Sequence, residues 1–271
     1  MISFPNAKIN LGLNILSKRE DGYHNISSCF YPVPWCDILE IIPSIDLKFT
    51  SSGIDIPGDK SNNLCIQAYN LFNKDFNIPG VHIHLHKIIP IGAGLGGGSS
   101  DCAFTLKMLN NLFQLNLSDD RLESYAGKLG SDCPFFIRNK PTLVSGTGDQ
   151  FKPISLNLSG NTMVLVYPKI HISTREAYAG IKPMLPKQSI TEIIDLPISK
   201  WKSLLTNDFE NSLYKTHPDI KNIRQLLYEH GAVYASMTGS GSTVFGIFTN
   251  NVAGNLLDIL SKKYIVWSKQ L

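Results

Sequence analysis

The sequence predicts a mixed fold of strands and helices, α/β or α+β, in two domains. Three observations carry this reading. Residues 7–16 alternate, with Ile9, Leu11, Leu13 and Ile15 on one face and Lys8, Asn10, Gly12 and Asn14 on the other, as a half-buried strand does. A glycine-rich segment, Pro90 to Ser100, follows a predicted strand and opens a predicted helix. Strand-like and helix-like runs are mixed in both halves, and Gly146, Gly148, Pro153 and Gly160 punctuate the chain between them. The domains are expected at 1–152 and 153–271.

The elements follow in order. Arg19-Glu20-Asp21-Gly22 reads as a turn and Ile38–Ile42 as a strand. Ser61 is placed to cap a helix with Leu64, Ala68, Leu71 and Phe72 on its inner face. Val81–Leu85 alternates as a strand. After the glycine segment, Cys102, Leu106, Leu109 and Phe113 keep helical spacing. Ser118 or Asp119 caps a further helix, with Gly130 as its stop. Ser131-Asp132-Cys133-Pro134 leads into Phe135–Ile137. In the second half, Met163–Tyr167 reads as a strand, Thr174–Gly180 as a short helix, and Pro218 as the first residue of a helix running to Gly231. Strands at Val233–Met237 and Thr243–Phe248 flank a second glycine loop, Thr238-Gly239-Ser240-Gly241-Ser242. A helix over Asn251–Lys263 and a strand over Tyr264–Trp267 complete the series.

Composition excludes several classes of function. The chain has 271 residues, 43% hydrophobic and 17% charged, enough for sizeable cores without disulfide or metal staples. No apolar run reaches the roughly 18 residues of a membrane helix. Pro5, Asn6, Lys8 and Asn10 break up the start, so a signal peptide is not expected. A net charge of +3 with no basic block gives no nucleic-acid footprint. Cys29, Cys36, Cys65, Cys102 and Cys133 are odd in number and form no CxxC pair, which reads as buried thiols in a reducing cytoplasm. The expected partner is a small molecule, with no nucleic acid, membrane or protein partner implied.

The strongest local signal is Pro90-Ile91-Gly92-Ala93-Gly94-Leu95-Gly96-Gly97-Gly98-Ser99-Ser100. Successive glycines let backbone N–H groups converge on an anion, and a helix start adds free donors and a positive dipole end. Polyphosphate is the natural guest. The run matches GxGxxG literally, but Pro90 separates strand from glycines and Asp119 sits at a helix cap, so a dinucleotide site does not follow. Gly98 stands where a P-loop would carry lysine, so a cation must come from elsewhere. His82, His84 and His86 share one strand face, yet no cysteine or acid clearly completes a metal site, and a solvated face is the reading adopted.

Three segments, Pro5-Asn6-Ala7-Lys8-Ile9-Asn10-Leu11, the glycine run through Asp101, and Thr238 to Phe245, resemble in order and spacing the motifs of the GHMP kinases. Asp21-Gly22-Tyr23-His24 and Leu129 to Pro134 narrow the resemblance to members whose acceptor carries a cytidine diphosphate. It covers nearly the whole chain and is thinnest between about 183 and 205. It implies an α+β fold with an ATP-binding N-terminal domain like the second domain of ribosomal protein S5 and a ferredoxin-like C-terminal domain. It implies transfer of the ATP γ-phosphoryl group, with Mg²⁺, to the tertiary 2-hydroxyl of a methylerythritol unit. The catalytic lysine and aspartate of the family fall on Lys8 and Asp132. ATP is expected along Pro90 to Ser100, with Asn63, Leu64 and Lys87 near the adenine, and the acceptor at Asn10, Tyr23, His24, Thr174 and Tyr178, the two tyrosines stacking on cytosine and His24 reading its edge. No protein-held metal ligand is implied, beyond a role for Asp101 left open. Cys102 stands where alanine is expected, and Ser242 where proline is frequent.

A carboxylate near the acceptor hydroxyl can take its proton, and a lysine can neutralise charge on the transferring group. Alternatives on the same fold are kinases for mevalonate, phosphomevalonate or homoserine, whose acceptors have no base to read, and a non-catalytic binding protein, which should lose Lys8, Asp132 or the glycine run.

Overall fold

A computed structural model describes residues 1–250, 252 and 254–271. Strands β1 (Ile2–Ser3), β2 (Asn6–Lys18), β3 (His24–Cys36), β4 (Ile38–Pro43) and β5 (Lys48–Gly53) precede helix α1 (Leu64–Phe76) and strand β6 (Val81–Lys87). Helices α2 (Gly97–Leu112), α3 (Asp119–Gly127) and α4 (Phe135–Arg138) lead to β7 (Thr142–Ser145), β8 (Gln150–Pro153) and β9 (Thr162–Tyr167). Then come α5 (Thr174–Ala179), α6 (Ile190–Ile194), α7 (Trp201–Leu204), α8 (Glu210–Thr216) and α9 (Pro218–Glu229). They are followed by β10 (Tyr234–Met237), β11 (Val244–Phe248), α10 (Gly254–Ser261) and β12 (Ile265–Gln270).

The chain forms two compact units, one of Met1–Lys8, Trp35–Ile91 and Gly96–Lys140, the other of Ile9–Pro34, Gly92–Leu95 and Pro141–Leu271. This division differs from the single cut expected near 152, because β2 and β3 are long strands that begin in one unit and finish in the other.

The first unit holds a sheet in the order β1-β4-β6-β5. Alternation decides its faces. Leu39 and Ile41 of β4 and Val81, Ile83 and Leu85 of β6 point to the buried side, where α2 lies on β4 and packs against α1. On the other face His82, His84 and His86 alternate with the hydroxyls of Thr50 and Ser52 in a row of hydrogen bonds of 2.8 to 3.1 Å. Among the described residues no group of metal-ligating side chains gathers there or elsewhere.

The second unit holds an antiparallel sheet in the order β10-β11-β9-β12. With helices between β9 and β10 and α10 between β11 and β12, this is the βαββαβ plan of a ferredoxin-like fold. Its core packs Val164 and Val166 against Leu213, Ile220, Ile223, Leu227, Leu256 and Leu260. Most of a further sheet, β2-β3-β7-β8, also belongs here.

Several boundaries moved. Asn63, not Ser61, caps α1, its side chain accepting from the Cys65 N–H at 2.9 Å, while Ser61 lies in a preceding tight turn capped by Asp59. Helix α3 stops at Gly127, short of Gly130. Strand β3 went unread because Ser27, Ser28, Pro32 and Pro34 interrupt its apolar pattern. The start expected at Asn251 for the last helix lies outside the described residues. Among those described, no helix is long and apolar enough to cross a membrane.

Candidate active site

The glycine segment forms the expected strand-to-helix passage. Gly96 occupies the N-cap of α2 at φ +69°, in the left-handed region where side chains are strained, and no side chain caps the helix. Gly96 itself offers no side-chain acceptor to the first N–H groups of α2, the kind of donors that an anion can use. The backbone is closely fitted around them. A Cβ on Gly97 would lie 2.9 Å from Lys87 Nζ, whereas one on Gly98 would meet only Leu64 Cδ1 at 4.0 Å. Leu64, first residue of α1, thus borders the helix start, and Asn63 beside it is occupied in capping α1.

The same glycine brings in the candidate catalytic pair. A Cβ on Gly96 would lie 3.1 Å from Lys8 Cγ and 3.0 Å from Phe136 Cζ, so the Lys8 stem passes directly against the N-cap of α2. The lysine projects from β2 and is buried, and its ammonium stands 3.4 Å from Asp132 Oδ2. Asp132 sits in the turn between α3 and α4, which is closed by the Cys133 N–H bonding to the Gly130 carbonyl at 3.2 Å. Its side chain keeps 29% exposure, against 5% for Lys8. A buried ammonium facing a half-exposed carboxylate leaves the carboxylate open to an incoming hydroxyl. Behind Asp132, a hydrogen bond with Cys102 holds the Cys133 thiol below the ordinary thiol range, against the effect of burial. The cysteine at position 102 is thus the partner of Cys133.

In the second unit, the His24 ring lies on Tyr178 with centroids 4.7 Å apart and planes 27° from parallel. Tyr178 is fixed from its other side by an edge contact with Phe209 at 4.9 Å, and burial pushes its hydroxyl up from the usual phenol range. His24 opens β3 directly after a turn in which Asp21 accepts the Tyr23 N–H at 3.0 Å and Arg19 grips Asp21 at 2.9 Å. The His24 ring thus lies face to face with Tyr178, and Tyr23 stands 67% exposed at the turn. Thr174 is exposed at the first turn of α5, whose cap is Ser173.

The chain as a whole is similar to known proteins. The family model of the GHMP kinases N terminal domain matches residues 63–140, and that of the GHMP kinases C terminal matches 194–266. The 4-diphosphocytidyl-2-C-methyl-D-erythritol kinase of Cytophaga hutchinsonii is 55% identical over 249 residues, 92% of each chain. The enzyme of the same name from Bacteroides thetaiotaomicron is 54% identical over 252 residues, again 92% of each. The chain belongs to the GHMP kinase family. A crystal structure of 4-(cytidine 5'-diphospho)-2C-methyl-D-erythritol kinase superposes with a TM-score of 0.84 at 29% identity, over 99% of this chain and 98% of that one. The mevalonate kinase of Methanococcus jannaschii shares the fold, with a TM-score of 0.75 at 16% identity over 100% of this chain and 98% of that one.

Within this GHMP kinase, two expected site residues have partners inside the chain. Lys87 is the first. Its ammonium is buried between the carboxylates of Asp37 and Asp101, the latter at 2.8 Å. Asn10 is buried as well. Its side chain donates to Ser28 Oγ at 2.9 Å, and its backbone N–H donates to Thr238 Oγ1 at 2.9 Å. It therefore braces the third motif, which Asn207 holds too by donating to the Met237 and Gly239 carbonyls at 2.9 Å. Gly94 lies against that motif so closely that a Cβ would fall 2.2 Å from the Thr238 carbonyl oxygen. Asn207 and Asp37 went unnoticed in the sequence. Asp37 had one usable signal, a lone acid between the apolar runs that end at Trp35 and begin at Ile38.

Proposed function

We propose that this chain transfers the γ-phosphoryl group of ATP to the 2-hydroxyl of 4-diphosphocytidyl-2-C-methyl-D-erythritol, on the non-mevalonate route to isoprenoid precursors and in the cytoplasm. The observation that carries the reading is the packing of the Lys8 stem against Gly96 with its ammonium 3.4 Å from Asp132, a cation and a carboxylate beside the start of α2.

The triphosphate lies along the start of α2, where the glycines leave room that a Cβ would fill. Leu64 offers an apolar edge for the adenine. Asp132 accepts the proton of the acceptor hydroxyl, and Lys8 neutralises charge on the phosphoryl group in transit. Magnesium suits this site as an ion carried on the nucleotide, since it keeps several waters and needs only one or two carboxylates. When bound it would neutralise charge on the phosphate oxygens. The outer face of the His24 ring, backed by Tyr178, supplies a flat surface on which cytosine stacks, with exposed Tyr23 placed to cover its other side.

The reading is tested by ADP release from ATP with four acceptors in parallel: the cytidine compound, mevalonate, phosphomevalonate and homoserine. Turnover with the first alone is expected. Preference for any of the others overturns the acceptor assignment.

A further inference from the structure

We infer that Asp37, Lys87 and Asp101 act as a positioning clamp that holds the two ends of the glycine segment in the conformation that receives ATP phosphates. The inference rests on the kinase reading above and adds to it Asp37, which no motif marks, and a joint role for Lys87 and Asp101.

The clamp joins the entrance and exit of one segment. At the entrance, Asp37 Oδ1 accepts the N–H groups of Ile88 and Ile89, at 2.5 and 2.8 Å, immediately before Pro90. At the exit, Asp101 lies in the first turns of α2, immediately after Ser100. Lys87 ties the two together, donating to Asp37 Oδ2 and to Asp101 Oδ2. All three side chains are at most 3% exposed. A Cβ on Gly97 would meet the Lys87 ammonium, so the clamp also sets the floor under the first N–H groups of α2.

Such a device is costly to keep inside a protein. Three buried charged groups face a desolvation penalty that apolar side chains of like volume avoid. The count is also unequal, two carboxylates against one ammonium. Asp37 has three donors, whereas Asp101 Oδ2 accepts from Lys87 and, among the described residues, Asp101 Oδ1 is buried with no partner. Cys65 and Cys102 are the other titratable groups that face the cluster. Mere stability is poorly served by this arrangement. Fixing a loop that must present donors to a polyanion is well served, because preorganised donors cost nothing to orient when the ligand binds.

The test separates ATP affinity from everything else. Asp37→Asn breaks the charged link to Lys87, and Asp101→Leu removes the acceptor at the exit. Each should raise the KM for ATP about tenfold or more, while kcat at saturating ATP and the acceptor KM stay within about twofold. Asp101→Asn still accepts from Lys87 and should restore near wild-type KM for ATP. In the wild-type chain without nucleotide, amide hydrogen exchange at Ile88 and Ile89 should be as slow as in β6. Rapid exchange at those amides, or folded Asp37→Asn and Asp101→Leu enzymes with wild-type KM for ATP, overturns the clamp. A wild-type chain that turns over no acceptor with ATP overturns the kinase reading instead.

Discussion

Lys8 and Asp132 face each other at 3.4 Å across the start of α2, although they are far apart in sequence and one comes from a strand, the other from a turn between helices. The pair is asymmetric. The lysine is buried and held against Gly96, so its position is set by packing, while the aspartate keeps access to whatever enters. This suits a fixed cation that stabilises charge and a base that meets the acceptor.

Asp132→Asn should lower kcat by about 10²–10⁴, the usual worth of a positioned base, with little change in ATP affinity. Because the two residues act together, Lys8→Ala/Asp132→Asn should be little worse than the worse single variant. Steady-state kinetics of the three enzymes decides it. Additive losses would mean the two act independently.

Glycine substitutions in the segment differ sharply in what they report. Gly96→Val would strain a left-handed residue and collide with Lys8 and Phe136, so the fold itself would suffer. Gly98 has ordinary backbone and open space around its Cβ position. Gly98→Ala should therefore keep or raise stability, by up to about 1 kcal/mol for alanine in a helix, while weakening ATP binding about tenfold. Thermal unfolding and nucleotide titration on the same sample give the two signs.

For the acceptor, base stacking on an aromatic side chain contributes about 1–3 kcal/mol. Tyr178→Ala should raise the acceptor KM roughly 5- to 150-fold and leave the KM for ATP unchanged. Tyr178→Phe should be nearly silent, since the ring face does the stacking. His24→Ala should weaken the choice of cytidine over uridine acceptors. A Tyr178→Ala enzyme with wild-type acceptor KM would return Tyr178 to a packing role beside Phe209.

Burial pushes the Asp101 carboxyl up to about 7, with Lys87 opposing and Asp37 adding to the rise. Its folded-state value lies above the ordinary one of about 3.9. The folded chain thus holds a proton that the unfolded chain releases. This contribution to stability is complete below about pH 4 and lost as pH rises through about 7. Asp101→Asn mimics the protonated form and removes the loss. Urea midpoints at about pH 5 and pH 8 should show the variant gaining on wild type at the higher pH. Parallel behaviour of the two proteins would contradict the assignment.

What the sequence made legible at the candidate site is local: consecutive glycines stand before α2 as expected, and Asp132 follows a helix stop in a turn. Lys8 was legible only through its motif, since the alternation of β2 alone makes it an ordinary polar-face lysine. What stayed hidden were the partners of polar residues that look alike in sequence. Lys87 and Asn10 point inward to Asp37, Asp101, Ser28 and Thr238, and no spacing rule foretells those long-range pairs. The orientation of His24 was equally hidden, because Tyr178 reaches it from a distant helix. The ferredoxin-like sheet was foreseen through the resemblance, and its strands β9, β10 and β11 lie within a residue or two of the expected runs.

The most direct measurement is product analysis by phosphorus and carbon NMR after incubating the chain with ATP, Mg²⁺ and 4-diphosphocytidyl-2-C-methyl-D-erythritol. One ADP should form per acceptor consumed, with a new phosphomonoester on the oxygen of the tertiary carbon and the diphosphate link to cytidine intact. An acceptor recovered unchanged, or phosphorylated at any other hydroxyl, would contradict the assignment of Lys8 and Asp132 to that transfer.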